Sequence, residues 1–163
     1  ERGYKRIDPT LGQHRLCPPD DSNPAAYPIS ELSLDDWMAL FVHCSESDIS
    51  DHSTHRTMLE TIPSQRLLAS LEAEGMHVAC GIGVQEMDCL GLFDLVTDQA
   101  HRNQGYGTAL ADGIIRWGQA QDARHAYLQV MERNKAALRL YEKLGFTALY
   151  RYWYRVPEHW PDA

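Results

Sequence analysis

The spacing of apolar residues changes along this chain, and the change restricts the fold more than any other feature. Apolar residues recur at the helical period from residue 34 to residue 42. From residue 65 onward, three short runs of strand composition follow one another, separated by the turn sequences Glu74-Gly75 and Met87-Asp88. After Gly107 the helical period returns and alternates with strand-like runs. The chain therefore combines consecutive antiparallel strands with later strand–helix–strand units.

These periods predict the element order α-α-β-β-β-α-β-α-β and a mixed, mostly antiparallel sheet in an α/β (α+β) domain. Gly81 and Gly83 interrupt the middle strand and indicate a bulge or a close backbone approach. The predicted elements are a helix capped by Ser33, helices over residues 53–61, after Gly107 and over 134–144, and strands over residues 66–72, 76–86, 90–97, 126–130 and 146–156.

The first 29 residues differ from the rest in their content of turn formers. Prolines recur there from Pro9 to Pro28, and a proline supplies no backbone N–H to a strand ladder. We therefore predict no long regular element within residues 1–30. Residues 1–29 form an extended lead-in, and residues 30–163 form the domain.

Composition and charge exclude several classes of protein. A hydrophobic content of 44% and a charged content of 23% are typical of a globular chain. The formal net charge of −8 argues against binding to a nucleic-acid backbone, and no apolar run is long enough for a membrane span. The four cysteines form no C-x-x-C pair, so we expect reduced thiols and a cytoplasmic protein.

A loop with two glycines lies between a predicted strand and the next predicted helix. It has the sequence Arg-Asn-Gln-Gly-Tyr-Gly over residues 102–107. Glycines let a ligand approach the backbone, and the unpaired N–H groups at a helix start attract phosphate. The spacing fits neither a P-loop nor a dinucleotide fingerprint. By itself the pattern is compatible with a diphosphate site or with a tight turn.

A second segment, about thirty residues later, makes the pattern specific. It runs from Asn134 to Phe146 as Asn-x-x-Ala-x-x-Leu-Tyr-x-x-Leu-Gly-Phe. Together the two segments closely resemble the GNAT superfamily of acetyl-CoA-dependent N-acetyltransferases. The resemblance covers residues 30–156. It rests on motifs between residues 90 and 146, and before them on element order alone.

The resemblance implies a GNAT fold, with helices on both faces of the sheet and a splayed strand pair that holds acetyl-CoA. It implies that the strand before the loop hydrogen-bonds the pantetheine arm and that the loop amides hold the pyrophosphate. An asparagine and a tyrosine of the later helix are implied to contact the cofactor. The cofactor-binding residues implied in this way are Leu95, Val96, Thr97, Arg102, Asn103, Gln104, Gly105, Tyr106, Gly107, Thr108, Asn134 and Tyr141.

Transfer from a thioester to an amine needs no protein nucleophile. The protein must orient two substrates, stabilise an oxyanion and protonate the leaving thiolate. The resemblance places Tyr141 near the thioester sulfur, and a phenol, with an ordinary pKa of ~10, can donate that proton. Tyr141 is therefore the expected catalytic residue, and a backbone N–H near Val96 is the expected oxyanion donor.

The general base is left open by the sequence. Related proteins carry a Glu where this chain has Gln129, and a Glu or His where it has Gly91 and Phe93. Asp94, Glu132 and a chain of waters are the alternatives, and Asp94 is better suited to a structural cap or pair.

Two histidines have the spacing of metal ligands. His52 and His55 follow Asp51 in the pattern Asp-His-x-x-His, but no third ligand completes the pattern. We therefore expect no metal, and the resemblance implies acetyl-CoA as co-substrate.

The resemblance implies an enzyme that moves acetyl from acetyl-CoA to a primary amine of a small molecule or peptide. The alternative is a non-catalytic acyl-CoA-binding regulatory domain. It is supported by the lack of a carboxylate at Gly91, Phe93 and Gln129. Transfer of a longer acyl or aminoacyl group has no residue in its support. The sequence does not identify the acceptor, and it leaves a homodimer open.

The C-terminal end holds one strand fewer than the resemblance implies. Relatives finish with two strands after the Gly-Phe, whereas residues 146–156 provide one. Residues 1–16 contain a Gly-Tyr similar to that Gly-Phe, which suggests the tail of a preceding half-domain; the alternative is a disordered leader. Because an uncovered sheet edge favours aggregation, we predict that residues 4–16 pair as a strand with the C-terminal part of the sheet.

Overall fold

The computed structural model describes residues 3–18, 27–47 and 52–161 and shows a mixed α/β fold with mostly antiparallel strand pairing, as predicted. Its strands are β1 (Tyr4–Leu16), β2 (Ile29–Glu31), β3 (Gln65–Ala73), β4 (Met76–Glu86), β5 (Cys89–Thr97), β6 (His125–Met131) and β7 (Thr147–Pro157). Its helices are α1 (Leu34–Ser45), α2 (Ser53–Glu60), α3 (Tyr106–Ala120) and α4 (Lys135–Lys143), with a short 3₁₀ turn at Gln99–His101.

The chain divides into two compact units. We call Leu16–Ala126 the central unit, and Glu1–Arg15 together with Tyr127–Ala163 the terminal unit. Within the predicted lead-in, residues 19–26 lie outside the described residues.

In the central unit, β2, β3, β4 and β5 lie side by side in that order, each antiparallel to its neighbour. On one face, α1 and α2 place Trp37 and Leu59 against Cys80 and Ile82 of the sheet. On the other face, α3 packs closely because β4 carries glycines, and a Cβ added at Gly83 would lie 2.8 Å from Ile114 Cγ2. Helices on both faces are therefore confirmed within this unit.

The pairing of β4 with β5 shifts near the middle of β5. Cys80 pairs with Val96 but Ile82 pairs with Phe93, so β5 holds one residue more than β4 in this interval. The extra residue forms a β-bulge, and Asp94 there has a φ of 52°, in the left-handed region. The irregularity expected at the glycines of β4 is thus a close approach of α3, and the bulge belongs to β5.

In the terminal unit, β6, β1 and β7 lie in that order. β1 pairs antiparallel with β7, from Tyr4 opposite Pro157 to His14 opposite Thr147. This pairing confirms the predicted strand over residues 4–16. Whether those residues come from a preceding half-domain stays a prediction.

The prediction that residues 1–30 contain no long regular element was wrong, because β1 has 13 residues. The register with β7 shifts between Ile7 and Thr10, and Asp8 has a φ of 48°. Pro9 therefore lies in an irregularity where the strand loses nothing by lacking an N–H. Its carbonyl still accepts a hydrogen bond from Glu132 N–H at 2.8 Å. β2, with three residues, was also not predicted. The other predicted helices and strands are present.

We predict that the core beneath α1 depends strongly on Trp37. Trp37 is fully buried, and its indole N–H donates to the Gly81 carbonyl at 3.2 Å. Trp37→Ala should lower the free energy of unfolding by about 3–5 kcal/mol, because it leaves a cavity and an unpaired carbonyl. Trp160→Ala is the matched control, since that side chain is 51% exposed and its loss should change stability by about 0.5 kcal/mol or less. Equal urea midpoints for the two variants would contradict the assignment.

Candidate functional site

The segment between β5 and α3 is built from tight turns. Asp98 N–H donates to the Val78 carbonyl at 2.9 Å, and the 3₁₀ turn follows at once. Asn103 and Gly105 then adopt left-handed backbone, with φ of 63° and 91°. Asparagine and glycine are the residues that adopt this conformation most readily. Gly105 is the N-cap of α3 and provides no side-chain cap for its amides.

The first amides of α3 are available to a ligand. The first intrahelical bond runs from Ala109 N–H to the Gly105 carbonyl at 3.0 Å. In the part of the chain that the structure describes, the N–H groups of Tyr106, Gly107 and Thr108 have no protein acceptor. Unpaired amides at a helix start, together with the helix dipole, form an anion-binding position. Predicted site residues 102–108 are thus brought together in one loop, and their contact with a cofactor stays a prediction.

Two side chains of this loop, Arg102 and Gln104, turn back onto the protein. Arg102 donates from Nε to the Thr97 carbonyl at 3.0 Å and from its terminal nitrogen to the Cys44 carbonyl at 3.5 Å. Gln104 donates to the Ala100 carbonyl at 3.3 Å. Arg102 thus ties the loop backbone to the ends of β5 and α1.

Asp98 fixes the beginning of the loop. Its carboxylate accepts a hydrogen bond from His101 Nδ1 and lies 3.6 Å from His43 Nε2, while its carbonyl accepts from the His101 amide at 2.9 Å. The hydrogen bond with His101 lowers the pKa of Asp98 below its ordinary value. The carboxylate therefore stays ionised and holds the 3₁₀ turn in place.

The predicted pantetheine strand, Leu95 to Thr97, follows the bulge directly. Val96 packs against the hydrophobic cluster beneath α1 and α2. Leu95 lies on the opposite face, with its Cγ 3.0 Å from the position of a Cβ added at Gly81. Because a bulge leaves one residue of the strand unpaired, the ladder is interrupted just before these residues.

Asp94 has a partner that the sequence did not reveal. Its carboxylate Oδ2 lies 2.9 Å from His55 Nε2 of α2. The two residues are separated by 39 positions in the chain, and no local pattern links them. The expectation that Asp94 forms a side-chain pair agrees with this contact.

The two histidines with metal-like spacing have separate partners. His52 Nε2 lies 2.7 Å from Ser47 Oγ, whereas His55 contacts Asp94. Asp51 lies outside the described residues. Among residues 3–18, 27–47 and 52–161, no group of three or more His, Cys, Asp or Glu side chains is arranged to hold a metal ion.

The terminal unit carries the other two predicted site residues on α4. Asn134 is the N-cap, and its Oδ1 accepts from Ala137 N–H at 3.1 Å. Tyr141, two turns later, is buried with its ring centroid 5.8 Å from that of Phe146. Burial raises the pKa of Tyr141 to about 12. Within the described residues its hydroxyl makes no hydrogen bond.

Gln129, which cannot take a proton, and the candidate base Glu132 are both engaged in this unit. Gln129 donates to the Tyr150 hydroxyl and accepts from the Tyr152 hydroxyl, both at 3.2 Å. Glu132 accepts from Arg151 at 2.8 Å. Glu132 is therefore held in an ion pair with Arg151.

Comparison with known proteins identifies the family. Residues 28–146 match the Acetyltransferase (GNAT) family. The chain belongs to this family. The resemblance inferred from the loop and the asparagine helix is thereby confirmed, and members of the family use acetyl-CoA.

Individual relatives agree with this assignment. The chain is 24% identical over 159 residues to an uncharacterized N-acetyltransferase, YobR, of Bacillus subtilis, covering 94% of this chain and 64% of that protein. It is 28% identical over 119 residues to the [Ribosomal protein bS18]-alanine N-acetyltransferase of Escherichia coli, covering 73% of this chain and 80% of that one.

A solved structure supports the fold. The GCN5-related N-acetyltransferase from Sphaerobacter thermophilus superposes with a TM-score of 0.71 at 18% identity, covering 95% of this chain and 53% of that chain. This chain thus spans about half of that protein and 64% of YobR. None of the helices described is long and apolar enough to cross a membrane.

We predict that Asn134 contributes to stability as a helix cap, separately from any contact with a ligand. Asn134→Ala should lower the free energy of unfolding by about 1 kcal/mol, because the Ala137 amide loses its acceptor. Asn134→Asp is the control, since it keeps an oxygen at the same position and should retain most of the stability. Denaturant unfolding measures both, and equal losses for the two variants would argue against the cap.

Proposed function

We propose that this chain transfers an acetyl group from acetyl-CoA to a primary amine by direct attack of the amine on the thioester. The observation that carries the proposal is the row of unpaired amides at the start of α3, beside two left-handed residues. A pyrophosphate matches this position because its oxygens accept hydrogen bonds and its charge favours the helix N-terminus. Family membership supports the same cofactor.

In this proposal the loop binds the cofactor through its backbone. The amides of Asn103 to Thr108 hold the pyrophosphate, and Arg102 keeps them in place through the Thr97 and Cys44 carbonyls. Asn134 contributes its amide group to the cofactor. The backbone of Leu95, Val96 and Thr97 lies along the pantetheine arm. An N–H near Val96, beside the interrupted ladder, stabilises the oxyanion.

Tyr141 acts as the general acid in the same proposal. A leaving thiolate needs a proton, and a buried phenol with a pKa of about 12 keeps its proton throughout the neutral range. Its hydroxyl makes no hydrogen bond within the described residues, so the proton is not committed elsewhere. The buried hydroxyl is thus free to donate to the thiolate, whereas the hydroxyl of a solvent-exposed tyrosine would hydrogen-bond water.

The acceptor is proposed only by class. The name of the Escherichia coli relative gives an alanine of a ribosomal protein as its acceptor, which favours a peptide amine here. The net charge of −8 suits a cationic amine. The test is thiol release from acetyl-CoA across a panel of alanyl peptides, other peptide N-termini, polyamines, amino acids and aminoglycosides.

A non-catalytic acyl-CoA-binding domain is the second candidate. It is favoured by Gln129, which cannot accept a proton and is held by two tyrosine hydroxyls. This candidate predicts CoA binding without thiol release for every amine in the panel. Turnover of any one amine would exclude it.

We predict that CoA binding depends on the backbone at Gly105. Gly105→Val should reduce CoA affinity at least about tenfold, because a β-branched residue disfavours a φ of 91° and displaces the amides. Gly75→Val is the matched control: Gly75 also has a positive φ, 78°, and an added Cβ meets no atom within 4 Å at either position. Both variants should lose similar stability, and only Gly105→Val should lose affinity in calorimetry. Unchanged CoA affinity in folded Gly105→Val would refute the assignment of the loop.

We predict that Tyr141→Phe lowers kcat by about 10²–10⁴-fold with little change in the KM for acetyl-CoA, the range for loss of a general acid. The raised pKa has a second consequence. The folded state holds the phenol proton more tightly than the unfolded state, so Tyr141 costs stability above about pH 10 and none below it. Tyr141→Phe should therefore gain stability relative to the unaltered chain only at alkaline pH. Native turnover in the variant would show that Tyr141 serves packing alone.

A further inference from the structure

A hydrogen-bonded pair of titratable side chains on the α1–α2 face has no role in the function proposed above. His55 Nε2 on α2 lies 2.9 Å from Asp94 Oδ2 in the bulge of β5. Both side chains are partly accessible, His55 at 21% and Asp94 at 36%. An accessible imidazole whose second nitrogen is held by a carboxylate is how proteins orient a histidine base.

Aromatic contacts fix the His55 ring on its other sides. Its centroid lies 5.2 Å from that of Phe41, 6.1 Å from that of Trp37 and 5.7 Å from that of His52. Trp37 is fully buried and its indole N–H is hydrogen-bonded, so it gives the His55 ring a fixed surface to pack against. The ring is therefore held in one orientation before any substrate arrives, as an efficient base requires.

The bulge places this pair close to the strand proposed for the thioester. Asp94 precedes Val96 by two residues, which corresponds to about 6–7 Å along a strand. Val96 and Phe93 pack against the hydrophobic cluster beneath α1 and α2, and the His55 ring contacts two aromatic residues of α1. His55 of α2 thus lies over the face of β5 that carries the Val96 side chain.

We propose that His55 is the general base that deprotonates the acceptor ammonium, an inference that rests on the proposed function. Asp94 is then a positioning residue that orients the His55 ring. In the tautomer that donates Nε2–H to Asp94, Nδ1 carries a free lone pair. The sequence left Asp94, Glu132 and a chain of waters as alternatives for the base. Asp94 is the partner of the histidine, and Glu132 is ion-paired with Arg151.

The protons of this reaction pass through His55 and Tyr141. The ammonium gives one proton to His55 Nδ1, directly or through a water, and the neutral amine forms the N–C bond with its lone pair. The C–S bond then breaks, and the thiolate takes a proton from Tyr141. The nitrogen of the new amide then gives up its extra proton to the Tyr141 phenolate, which restores the phenol. His55 releases its proton to solvent.

The other titratable and charged groups around the pair have partners of their own. α1 contributes the rings of Trp37 and Phe41. The hydrogen bond with Cys44 and burial raise the pKa of Cys80, so that thiol stays neutral. The groups and their partners are His52 with Ser47 on the α2 side, Cys80 with Cys44 on the β4 side, and Arg56 with Asp35 and Glu60.

The test compares His55→Gln, Asp94→Asn and His52→Gln in thiol release from acetyl-CoA, with an alanyl peptide or the fastest acceptor of the panel, from acid to alkaline pH. His52→Gln is the matched control, because His52 contacts the same Phe41 ring but hydrogen-bonds Ser47. His55→Gln should lower kcat/KM at neutral pH by about 10²–10⁴-fold and leave calorimetric CoA affinity unchanged. Its rate should rise with pH until the free amine predominates, and added imidazole should partly restore His55→Ala. Asp94→Asn should show a smaller loss, and His52→Gln the native profile.

The outcomes separate this proposal from the proposed function. If the unaltered chain acetylates no amine, the proposed function fails and the role of His55 fails with it. If the unaltered chain is active and His55→Gln keeps its rate and pH profile, only the role of His55 is overturned. Loss of rate with an unchanged pH profile and lowered thermal stability would show a structural tie between α2 and β5, which also overturns the proposal.

Discussion

The pairing of β4 with β5, and the one-residue excess in β5, is the constraint on which the rest of the central unit depends. Without the bulge, strict alternation along β5 would put Phe93 and Val96 on opposite faces of the sheet. With it, both pack beneath α1 and α2, and Leu95 contacts the α3 face. The left-handed backbone at Asp94 is therefore the local cost of that arrangement, and the side chain at the strained position reaches His55.

Helices and inner strands were predictable because their signals are local. Ser33 caps α1, with its side chain accepting from Asp36 N–H, as its position before the apolar period indicated. β1 was obscured because Pro9 interrupts it, and the evidence for a strand was the missing partner of β7 rather than any period in residues 4–16. Three-residue β2 contains too few positions for a period to appear. β1 is decided by pairing with β7 across more than a hundred residues, and β2 by pairing with the distant strand β3.

The backbone conformation of the loop at residues 102–108 was predictable from sequence, because left-handed backbone followed by a helix start selects asparagine and glycine at fixed positions. The contact of His55 with Asp94 was not predictable, because a histidine that meets an aspartate 39 positions later leaves no spacing to recognise. The metal-like spacing of His55 with His52 even suggested another chemistry. The side chains of Arg102 and Asn134 also perform structural work, anchoring the loop and capping α4, that a family motif alone does not reveal.

The two proposed proton-transfer groups, Tyr141 and His55, differ in environment, and this difference indicates which of them sets the pH dependence of the proposed reaction. Tyr141 is buried, and burial raises its pKa to about 12, so its proton is present at every pH at which the chain is expected to work. A loss of rate on acidification therefore cannot come from the acid. It must come from the acceptor amine or from the group that takes its proton. A protonated imidazole cannot accept a proton, and a glutamine cannot accept one at any pH. The fall in rate of His55→Gln on acidification therefore reports the protonation of the amine alone. The difference between its pH–rate profile and that of the unaltered chain reports the base.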